Sequence, residues 1–353
     1  NMVSGNSEHG VSIINDYGCH VNYSIMNNIV SSSAQDGIKI ENCEGAIIVG
    51  NNIASNGGFG IKLEDSEGCV ISGNELESDG LMIFGNTLEH YESHSFGTNT
   101  VNGRALYVLK DEINMDIDCS DYGEVMIVNC NGVDVYRGEF RDTDVGIGVV
   151  MCSNVTLYDT YAYRSRYGLG LFGTTNSDVY NCSFVQCDYG ITIASTSGNV
   201  FYHNNFIDND EDVYPYDSNN FNRWNESYDV GGGNYWDGYF GPDAYQGAGQ
   251  DIPGSDGIGD NAYEIYVGTY DHYPYLDPFS LPMPDVLPPE VSSTVPEKSA
   301  VDVAVDSDVV VVFNEIMNSN LTPVLSVTLG PDPGGWTFEG WSTTTVTNDT
   351  ATW

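Results

Sequence analysis

One stretch of this chain is repeated almost letter for letter a short distance later. The segment GIKIENCEGAIIVGNNI begins at Gly37, and GIKLEDSEGCVISGNEL begins at Gly60, 23 residues further on. The same glycine-aliphatic-x-aliphatic pattern returns at Gly146, Gly168 and Gly190, where the copies are 22 residues apart. Such a period indicates structural units that cannot bury their apolar faces alone and therefore stack on their neighbours.

Further columns keep the register of the repeat. They are Val135, Leu157, Val179 and Phe201; Tyr136, Tyr158, Tyr180 and Tyr202; and Phe140, Ala162, Phe184 and Phe206. Each copy alternates apolar and polar residues over short runs, broken by Asn, Gly, Asp and Ser, and none has a clear helical period. The sequence therefore predicts an all-β solenoid of parallel strands with about 22–23 residues per rung, in which Asn pairs such as Asn51-Asn52 lie in the turns.

The charge of the chain restricts its partners. Its 51 Asp and Glu residues stand against 10 Lys and Arg, a formal net charge of −41. Nucleic acids and anionic bilayers bind clustered Lys and Arg, so neither is an expected partner. No apolar run is long enough to span a membrane. The acidity suits a soluble surface in a cation-rich exterior or a binder of divalent cations.

Several segments resemble a known family. LEHYESHSFGTNTVNGRALYVLKD (88–111), GEVMIVNCNGVDV (123–135) and the GGGNYWDGYFGPD and SDGIGDNAYEI elements between 231 and 265 are similar to NosD-like proteins. Some members of this group are called carbohydrate-binding and sugar-hydrolysis domains. The resemblance covers about 1–280 and implies a right-handed parallel β-helix on a bacterial or archaeal surface.

The composition divides the chain into four parts. The repeats occupy 1–210, with an irregular insert at about 84–122, and a Gly/Asn/Tyr/Trp-rich capping segment with an acidic loop follows at 211–279. A Pro-rich linker covers 280–289. The region 290–353 resembles a bacterial Ig-like β-sandwich and stops before a full sandwich is complete. We interpret the chain as a piece of a longer protein, because it begins in mid-repeat.

Two groups of acidic residues carry candidate chemistry. Asp251, Asp256, Asp260 and Glu264 are hard oxygen ligands around Gly turns, a pattern that suits Ca²⁺, although an acidic turn without metal has the same composition. The second group lies near Arg137: Arg141, Arg164 and Arg166 with Asp142, Asp144 and Asp159. Arginine beside carboxylates is found in polysaccharide lyases, and paired carboxylates in glycoside hydrolases. Ion pairs that brace neighbouring rungs are the alternative.

Aromatic, histidine and cysteine residues give further candidates. The column Tyr136, Tyr158, Tyr180 and Tyr202 could stack on sugar rings, or could only stabilise the solenoid. His90 and His94 have a helical metal-ligand spacing in a stretch that reads as irregular. Six scattered His, eight Met and no Cys-x-x-Cys argue against copper handling. Cys130 and Cys152 are expected on successive rungs, more consistent with buried thiols than with a disulfide.

Six Asn-x-Ser/Thr sequons are compatible with secretion and glycosylation. They are at Asn22, Asn154, Asn181, Asn225, Asn320 and Asn348.

These features predict an exported, extracellular protein of the cell surface. Its expected function is a non-enzymatic scaffold for envelope or S-layer-type assembly, adhesion or display. Its expected partners are envelope components, glycans or further copies of itself, with Ca²⁺ as a possible ligand. The alternatives are a polysaccharide lyase or glycoside hydrolase at the Arg/Asp patch and, ranked lower, a periplasmic role in copper maturation.

Overall fold

Left-handed backbone at regular intervals turns the chain from one short strand to the next. In the second half, one corner of each rung is formed by Arg137, Asp159, Asn181 and His203, all with φ between 50° and 56°. Asn and Asp adopt this conformation more readily than other residues with side chains, which explains their frequency in the repeat. The computed structural model describes residues 1–15 and 23–280, and the strands at 291–295, 310–313, 340–342 and 350–352.

The first half of the chain coils through three parallel sheets. Its strands are β1 (Met2–Ser4), β2 (Val11–Ile14), β3 (Ser24–Met26), β4 (Ile29–Ser31), β5 (Ile38–Glu41), β6 (Ile47–Val49), β7 (Asn52–Ala54), β8 (Ile61–Glu64), β9 (Val70–Ser72), β10 (Glu75–Glu77), β11 (Leu81–Phe84), β12 (Ser95–Phe96) and β13 (Thr100–Val101), with the one-turn helix α1 (Glu89–Glu92) between β11 and β12.

A hairpin then reverses the direction of the chain. The central residues Asn102 and Gly103 have φ of 50° and 76°, as a type I′ turn requires, and β13 pairs antiparallel with the next strand. The following strands are β14 (Arg104–Lys110), β15 (Asp116–Asp118), β16 (Tyr122–Val128), β17 (Asp134–Tyr136), β18 (Glu139–Arg141), β19 (Val145–Val150), β20 (Thr156–Tyr158), β21 (Tyr161–Tyr163), β22 (Tyr167–Phe172), β23 (Asp178–Tyr180), β24 (Ser183–Val185), β25 (Tyr189–Ala194), β26 (Ser197–Tyr202), β27 (Asn205–Ile207), β28 (Glu211–Pro215), β29 (Phe221–Arg223) and β30 (Tyr235–Trp236).

One long sheet joins the two halves. Its order is β1-β4-β7-β10-β13-β14-β16-β19-β22-β25-β28. The remaining strands form β11-β8-β5-β2 and β12-β9-β6-β3 in the first half, and β15-β17-β20-β23-β26-β29 and β18-β21-β24-β27-β30 in the second. Connections between parallel strands are right-handed, so the strand direction decides on which face of the sheet the coil lies. Because the hairpin reverses the strand direction, the coils of the second half enclose their core on the opposite face of the long sheet. Two separate apolar cores, one for each half, lie within the solenoid.

The predicted columns are confirmed by the strand register. Val135 pairs with Leu157, Leu157 with Val179 and Val179 with Phe201, each step being 22 residues. The column that begins at Phe140 is aligned in the same way. Buried Asn side chains also form a ladder, in which Asn51 donates its backbone N–H to Asn74 Oδ1 and Asn74 donates to Asn99 Oδ1, both at 3.0 Å.

A capping segment covers the far end of the solenoid. It contains a 3₁₀ turn (Tyr228–Val230) and two hairpins, β31 (Tyr245–Gln246) with β32 (Ile252–Pro253) and β33 (Tyr263–Tyr266) with β34 (Thr269–Asp271). Trp236 is buried under it and stacks on Phe206 with ring centroids 4.2 Å apart. The cap therefore continues the aromatic core and closes it.

The chain divides into two compact units, Asn1–Pro284 and Asp285–Trp353. In the second unit, β35 (Val291–Val295), β36 (Val310–Phe313), β37 (Gly340–Ser342) and β38 (Thr350–Thr352) form an antiparallel sheet in the order β35-β36-β38-β37. The predicted linker at 280–289 lies outside the described residues except for its first residue. Among the described residues, no helix is long and apolar enough to cross a bilayer.

Candidate functional site

The predicted tyrosine column forms a continuous stack on the outside of the second half. Tyr136, Tyr158, Tyr180 and Tyr202 follow one another with ring centroids 5.4, 5.4 and 5.1 Å apart and interplanar angles of 15°, 6° and 21°. Both faces of each inner ring, Tyr158 and Tyr180, are therefore in contact with neighbouring tyrosine rings. The end ring Tyr136 is approached by the Arg137 guanidinium, 5.6 Å from its centroid. This geometry leaves ring edges and hydroxyls facing outward, while a sugar ring stacks on an aromatic face.

The arginine and aspartate residues form separate ion pairs rather than one group. Arg164 Nε lies 2.8 Å from Asp142 Oδ1 on the preceding rung, and Arg137 Nη1 lies 3.2 Å from Asp118 Oδ2. Arg141 pairs with Glu139 of its own strand. Exposed pairs of this kind contribute about 0–1 kcal/mol each.

Two of the predicted catalytic residues lie apart from these surface pairs. Asp159 is exposed and accepts a hydrogen bond from Asn181 Nδ2 (3.4 Å) rather than from an arginine. Asp144 is buried, and Arg166 Nε lies 3.5 Å from its Oδ1. The six predicted residues are therefore distributed along one side of the solenoid without meeting at one point.

Asp144 belongs to a group that sequence reasoning did not find, here called the carboxylate junction: Asp79, Glu124, Asp144 and Arg166. Its acidic members are no more than 5% exposed. Asp144 Oδ2 accepts the backbone N–H groups of Gly60 and Gly80, each at 2.7 Å. Arg166 donates to the carbonyl oxygen of Gly57 at 2.7 Å. Because Asp144 and Arg166 come from the second half and the glycines from the first, the junction holds the two halves together.

The carboxylate junction supplies hydrogen-bond acceptors at the end of a sheet, where the last strand has no neighbouring strand to bond. In the sheet that ends at β11, Ile38 donates its N–H to Gly60 O and Ile61 donates to Gly80 O. Leu81 lies in the last strand and has no further rung to donate to, so its N–H goes to Glu124 Oε2 at 3.0 Å. A buried backbone N–H without a partner is costly. No local pattern marks Glu124 and Asp144 as caps, because they lie 43 residues from Leu81 and 64 residues from Gly80.

Burial strongly changes the ionisation of the carboxylate junction. Desolvation, together with repulsion from the nearby Asp144, raises the pKa of Asp79 to about 8. Desolvation also raises the pKa of Asp144 to about 7, against the lowering effect of its hydrogen bonds and of Arg166. The pKa of the enclosed Glu124 lies well above its ordinary value for the same reason. Such values are found in general acids, but these carboxyl groups are enclosed and already bonded to backbone.

The acidic residues predicted to bind Ca²⁺ mostly brace loops of the cap. Asp256 Oδ1 accepts the N–H of Ile258 at 3.0 Å, and its Oδ2 accepts the Tyr228 hydroxyl at 2.9 Å. Asp260 accepts the N–H of Tyr245 at 3.0 Å. Glu264 belongs to the other hairpin and accepts from Gly268 N at 3.1 Å. Asp251 is exposed. The Ca²⁺ site stays a prediction, with its ligands spread over both hairpins.

The predicted histidine pair occupies a short helix and the position just before the strand that follows it. His90 lies in α1, with its Nδ1 3.2 Å from Asp65 Oδ1. The buried His94 accepts the N–H of Cys69 at Nδ1 (3.1 Å) and lies 2.8 Å from His90 O through Nε2. Burial lowers the pKa of His94 to about 4, so its ring is neutral. Both of its ring nitrogens are therefore occupied by hydrogen bonds to backbone groups.

The cysteines that the structure describes are buried and unpaired by disulfides. Cys130 and Cys152 lie on successive rungs, as predicted, and Cys130 donates its backbone N–H to Cys152 Sγ at 3.2 Å. Desolvation raises the pKa of Cys119 to about 12, and Cys182 and Cys187 are shifted in the same direction. Such thiols are poor nucleophiles at neutral pH.

The described sequon asparagines are at three positions. Asn154 and Asn181 both occupy left-handed corners (φ 52°), and Asn154 is exposed. Asn225 is half-buried in the cap and bonded to His272 N at 3.1 Å through Oδ1. Asn22, Asn320 and Asn348 lie outside the described residues.

Comparison with known proteins gives two family matches. Residues 1–104 and 139–241 match the family described as "Periplasmic copper-binding protein (NosD)". Residues 285–352 match the family described as "Bacterial Ig-like domain". No curated protein matches the chain.

Two solved structures are similar to parts of the chain. A protein described as a candidate glycosyl hydrolase from Parabacteroides merdae shares 11% identity, over 53% of this chain and 80% of that one, with a TM-score of 0.13. The pentapeptide repeat protein HetL from the cyanobacterium Nostoc shares 6% identity, over 58% and 88%, with a TM-score of 0.14. Neither likeness informs the function.

The His and Cys side chains that the structure describes are not grouped into a copper site. Copper is bound by imidazole, thiolate and thioether groups. In the parts of the chain that the structure covers, no three His, Cys, Asp or Glu side chains are arranged to hold a metal ion. Both ring nitrogens of His94 have partners, and Cys69 is buried in the first core.

Proposed function

This chain belongs to the NosD family, whose namesake is periplasmic and therefore exported, and from that premise we propose that it is a non-enzymatic scaffold of the cell envelope. In this proposal the β-helix works outside the cell, where the solenoid and the Ig-like unit present surfaces to other envelope components. Adhesion and display are the forms of binding that such a surface would serve.

The observation that carries the proposal is the use of the charged side chains. Arg164 braces Asp142 of the preceding rung, and the Asp144–Arg166 pair ties the two halves together. Residues that would serve as acid, base or electrophile in a lyase or hydrolase are thus engaged in holding rungs together. An enclosed carboxylate such as Asp144 also has no open path to a polymer.

The acidity of the chain supports assembly through divalent cations. Copies with a net charge of −41 repel each other, and cations that bridge surface carboxylates remove this repulsion. Of the four predicted Ca²⁺ ligands, Asp251 and Glu264 are exposed enough to contribute. We therefore extend the proposal to Ca²⁺-dependent self-assembly of the full-length protein.

Electron microscopy of the full-length protein at near-physiological salt, with Ca²⁺ and with a chelator, tests this proposal. We expect lattices or filaments only with Ca²⁺, whereas dispersed monomers in both conditions would overturn self-assembly. The variant Asp251→Asn, Glu264→Gln should weaken assembly. Its matched control, Glu77→Gln with Asp121→Asn, neutralises two exposed acids elsewhere on the protein. Weaker assembly in the first variant but not in the control would assign the effect to these positions and not to the total charge.

A polysaccharide turnover assay tests the enzymatic alternative. Neutral and uronate polymers are incubated with the wild type, and we expect no new reducing ends and no unsaturated products. If turnover is detected, the variants Arg141→Ala and Arg164→Ala locate it, with Arg223→Ala as a control from another surface ion pair. Turnover lost in the first two variants and kept in the control would refute the scaffold proposal.

A further inference from the structure

An open cleft lies where the top of the first half meets the outer wall of the second. Phe172 of β22 and Tyr216, just beyond β28, come from the long sheet, and Phe84 and Tyr91 come from the end of the first half. Asp217 lies at the rim, and the cleft has a volume of about 320 Å³. We call it the corner cleft. Its volume is at the lower end of the range of ligand pockets, roughly 300–1,000 Å³.

The aromatic rings of the corner cleft are arranged differently from the tyrosine column. Phe84 and Phe172 meet edge to face, with centroids 6.5 Å apart and an interplanar angle of 76°. Tyr216 meets Tyr214 in the same way, at 6.3 Å and 78°. An edge-to-face contact covers a face of only one of its two rings, whereas the inner rings of the tyrosine column are covered on both faces. Tyr216 is also 61% exposed, so part of its ring is open to a ligand.

The rim of the corner cleft is negatively charged. Burial alone would raise the pKa of Asp217, but hydrogen bonds from Ser195 and Asn219 hold that pKa below its ordinary value, so the carboxylate is ionised at neutral pH. Among the ion pairs of the described residues, none involves Asp217. The cleft therefore combines open aromatic faces with a carboxylate in a strongly acidic protein.

Two aromatic rings in and beside the corner cleft already have cationic side chains of this chain near their faces. Lys62 Nζ lies 5.1 Å from the centroid of Phe84, and the Arg166 guanidinium lies 5.1 Å from that of Phe59. Phe59 and Phe84 are themselves in edge contact at 5.8 Å. Cations are attracted to aromatic faces by the ring quadrupole. Beside the cleft these two cations lie over first-half rings, and among the described residues no Lys or Arg lies over the ring of Phe172 or Tyr216.

We propose that the corner cleft binds a basic side chain, Lys or Arg, of a partner protein, with the cation held between Phe172, Tyr216 and Asp217. This goes beyond the scaffold function, because it specifies a charge-complementary partner. A sugar fits less well because the polar groups are already bonded to each other: Ser195 Oγ donates to Asp217 Oδ2 at 2.7 Å, and the Tyr91 hydroxyl contacts Gly85 N and O, both at 2.9 Å.

Titration of the whole chain with blocked tripeptides tests the proposal. The probe is Gly-Arg-Gly, and the matched probe is Gly-citrulline-Gly, which has the same shape without the charge. Binding is measured by calorimetry at about 0.15 M salt, where long-range attraction to an acidic protein is screened. We expect the arginine peptide to bind at least tenfold more tightly than the citrulline peptide.

Variants separate the corner cleft from general attraction to acidic surface. Tyr216→Ala should weaken binding of the arginine peptide about fivefold, which is the size of one cation–π contact. Asp217→Asn removes the carboxylate that faces the cation and should also weaken binding by up to about fivefold, the size of one exposed ion pair. Phe240→Ala, which removes another highly exposed ring, should leave it unchanged. Equal binding of both peptides, no binding of either, or equal behaviour of the Tyr216 and Phe240 variants would overturn the proposal. So would a neutral oligosaccharide that binds more tightly than the arginine peptide and requires Tyr216.

Discussion

Val125 and Met126 are consecutive residues of β16, and their side chains belong to different apolar cores. Val125 packs with Ile147 and Leu169 inside the second half, whereas Met126 packs in the core of the first half. The alternation of side chains along a strand places neighbours on opposite faces of the sheet. The long sheet is thus buried on both faces in this region, and β16 reads as an almost continuous apolar run.

The hairpin that reverses the chain should be sensitive to its glycine. Gly103 has φ 76° and open space around its Cα, so a methyl group there meets no atom but strains the backbone. We expect Gly103→Ala to lower the free energy of unfolding by about 1–2 kcal/mol. Gly148→Ala is the matched control, because φ there is not positive and the nearest atoms are at 3.9 Å. Thermal denaturation followed by circular dichroism measures both, and equal stability of the two variants would contradict the strain argument.

The asparagine ladder should contribute strongly to stability at Asn74. This buried side chain accepts the N–H of Asn51 at 3.0 Å and donates to Ile48 O at 2.9 Å. Asn74→Ala leaves both groups buried without partners, so we expect a loss of about 2–5 kcal/mol in the free energy of unfolding. Asn52→Ala removes an exposed side chain with one long contact, to Glu75 at 3.5 Å, and should change stability little. Urea denaturation compares them; similar midpoints would show that the ladder is not required.

Stability should fall as pH rises through the neutral range. The pKa values of Asp79 and Asp144 rise from 3.8 to about 8 and about 7 on folding. The folded state therefore binds more protons than the unfolded state between about pH 4 and 8. The stabilising contribution is full below pH 4 and is lost as pH rises through 7 and 8. Since each unit by which folding shifts a pKa is worth about 1.4 kcal/mol, the loss amounts to several kcal/mol.

The melting temperature measured from pH 5 to pH 9 checks this pH dependence, and we expect it to decrease. The double variant Asp79→Asn, Glu124→Gln keeps the acceptors for Asn56 and Leu81 and removes two titrating groups. Its melting temperature should change less over the same range. A wild-type profile that is flat, or that rises toward pH 9, would contradict the assigned protonation of the carboxylate junction.

The tyrosine column should stabilise the solenoid. Tyr158→Ala and Tyr180→Ala each remove two stacking contacts of about 0.5–1.5 kcal/mol, so each should lower the melting temperature. Glycan-array binding of the same variants tests the carbohydrate prediction. A loss of affinity with retained folding would place a sugar on the column, and unchanged affinity would exclude the column as that site.

Repetition in the sequence determined the rungs, their registers and their corners. Columns such as that of Val135 are visible because stacked units need the same residue at the same place. The Ig-like region was recognised from a different signal, its resemblance to a known family. The Asp142–Arg164 pair could be anticipated as well, because its residues are one period apart.

Only the tertiary structure decided where the two halves of the β-helix meet. The hairpin at Asn102-Gly103 moves the core to the other face of the long sheet, and Asp144 thereby reaches Gly60, 84 residues earlier in the chain. Likewise, Phe84 and Tyr216 form the corner cleft across both halves. Contacts of this kind have no period, since they depend on how one sheet end is capped and not on how rungs stack.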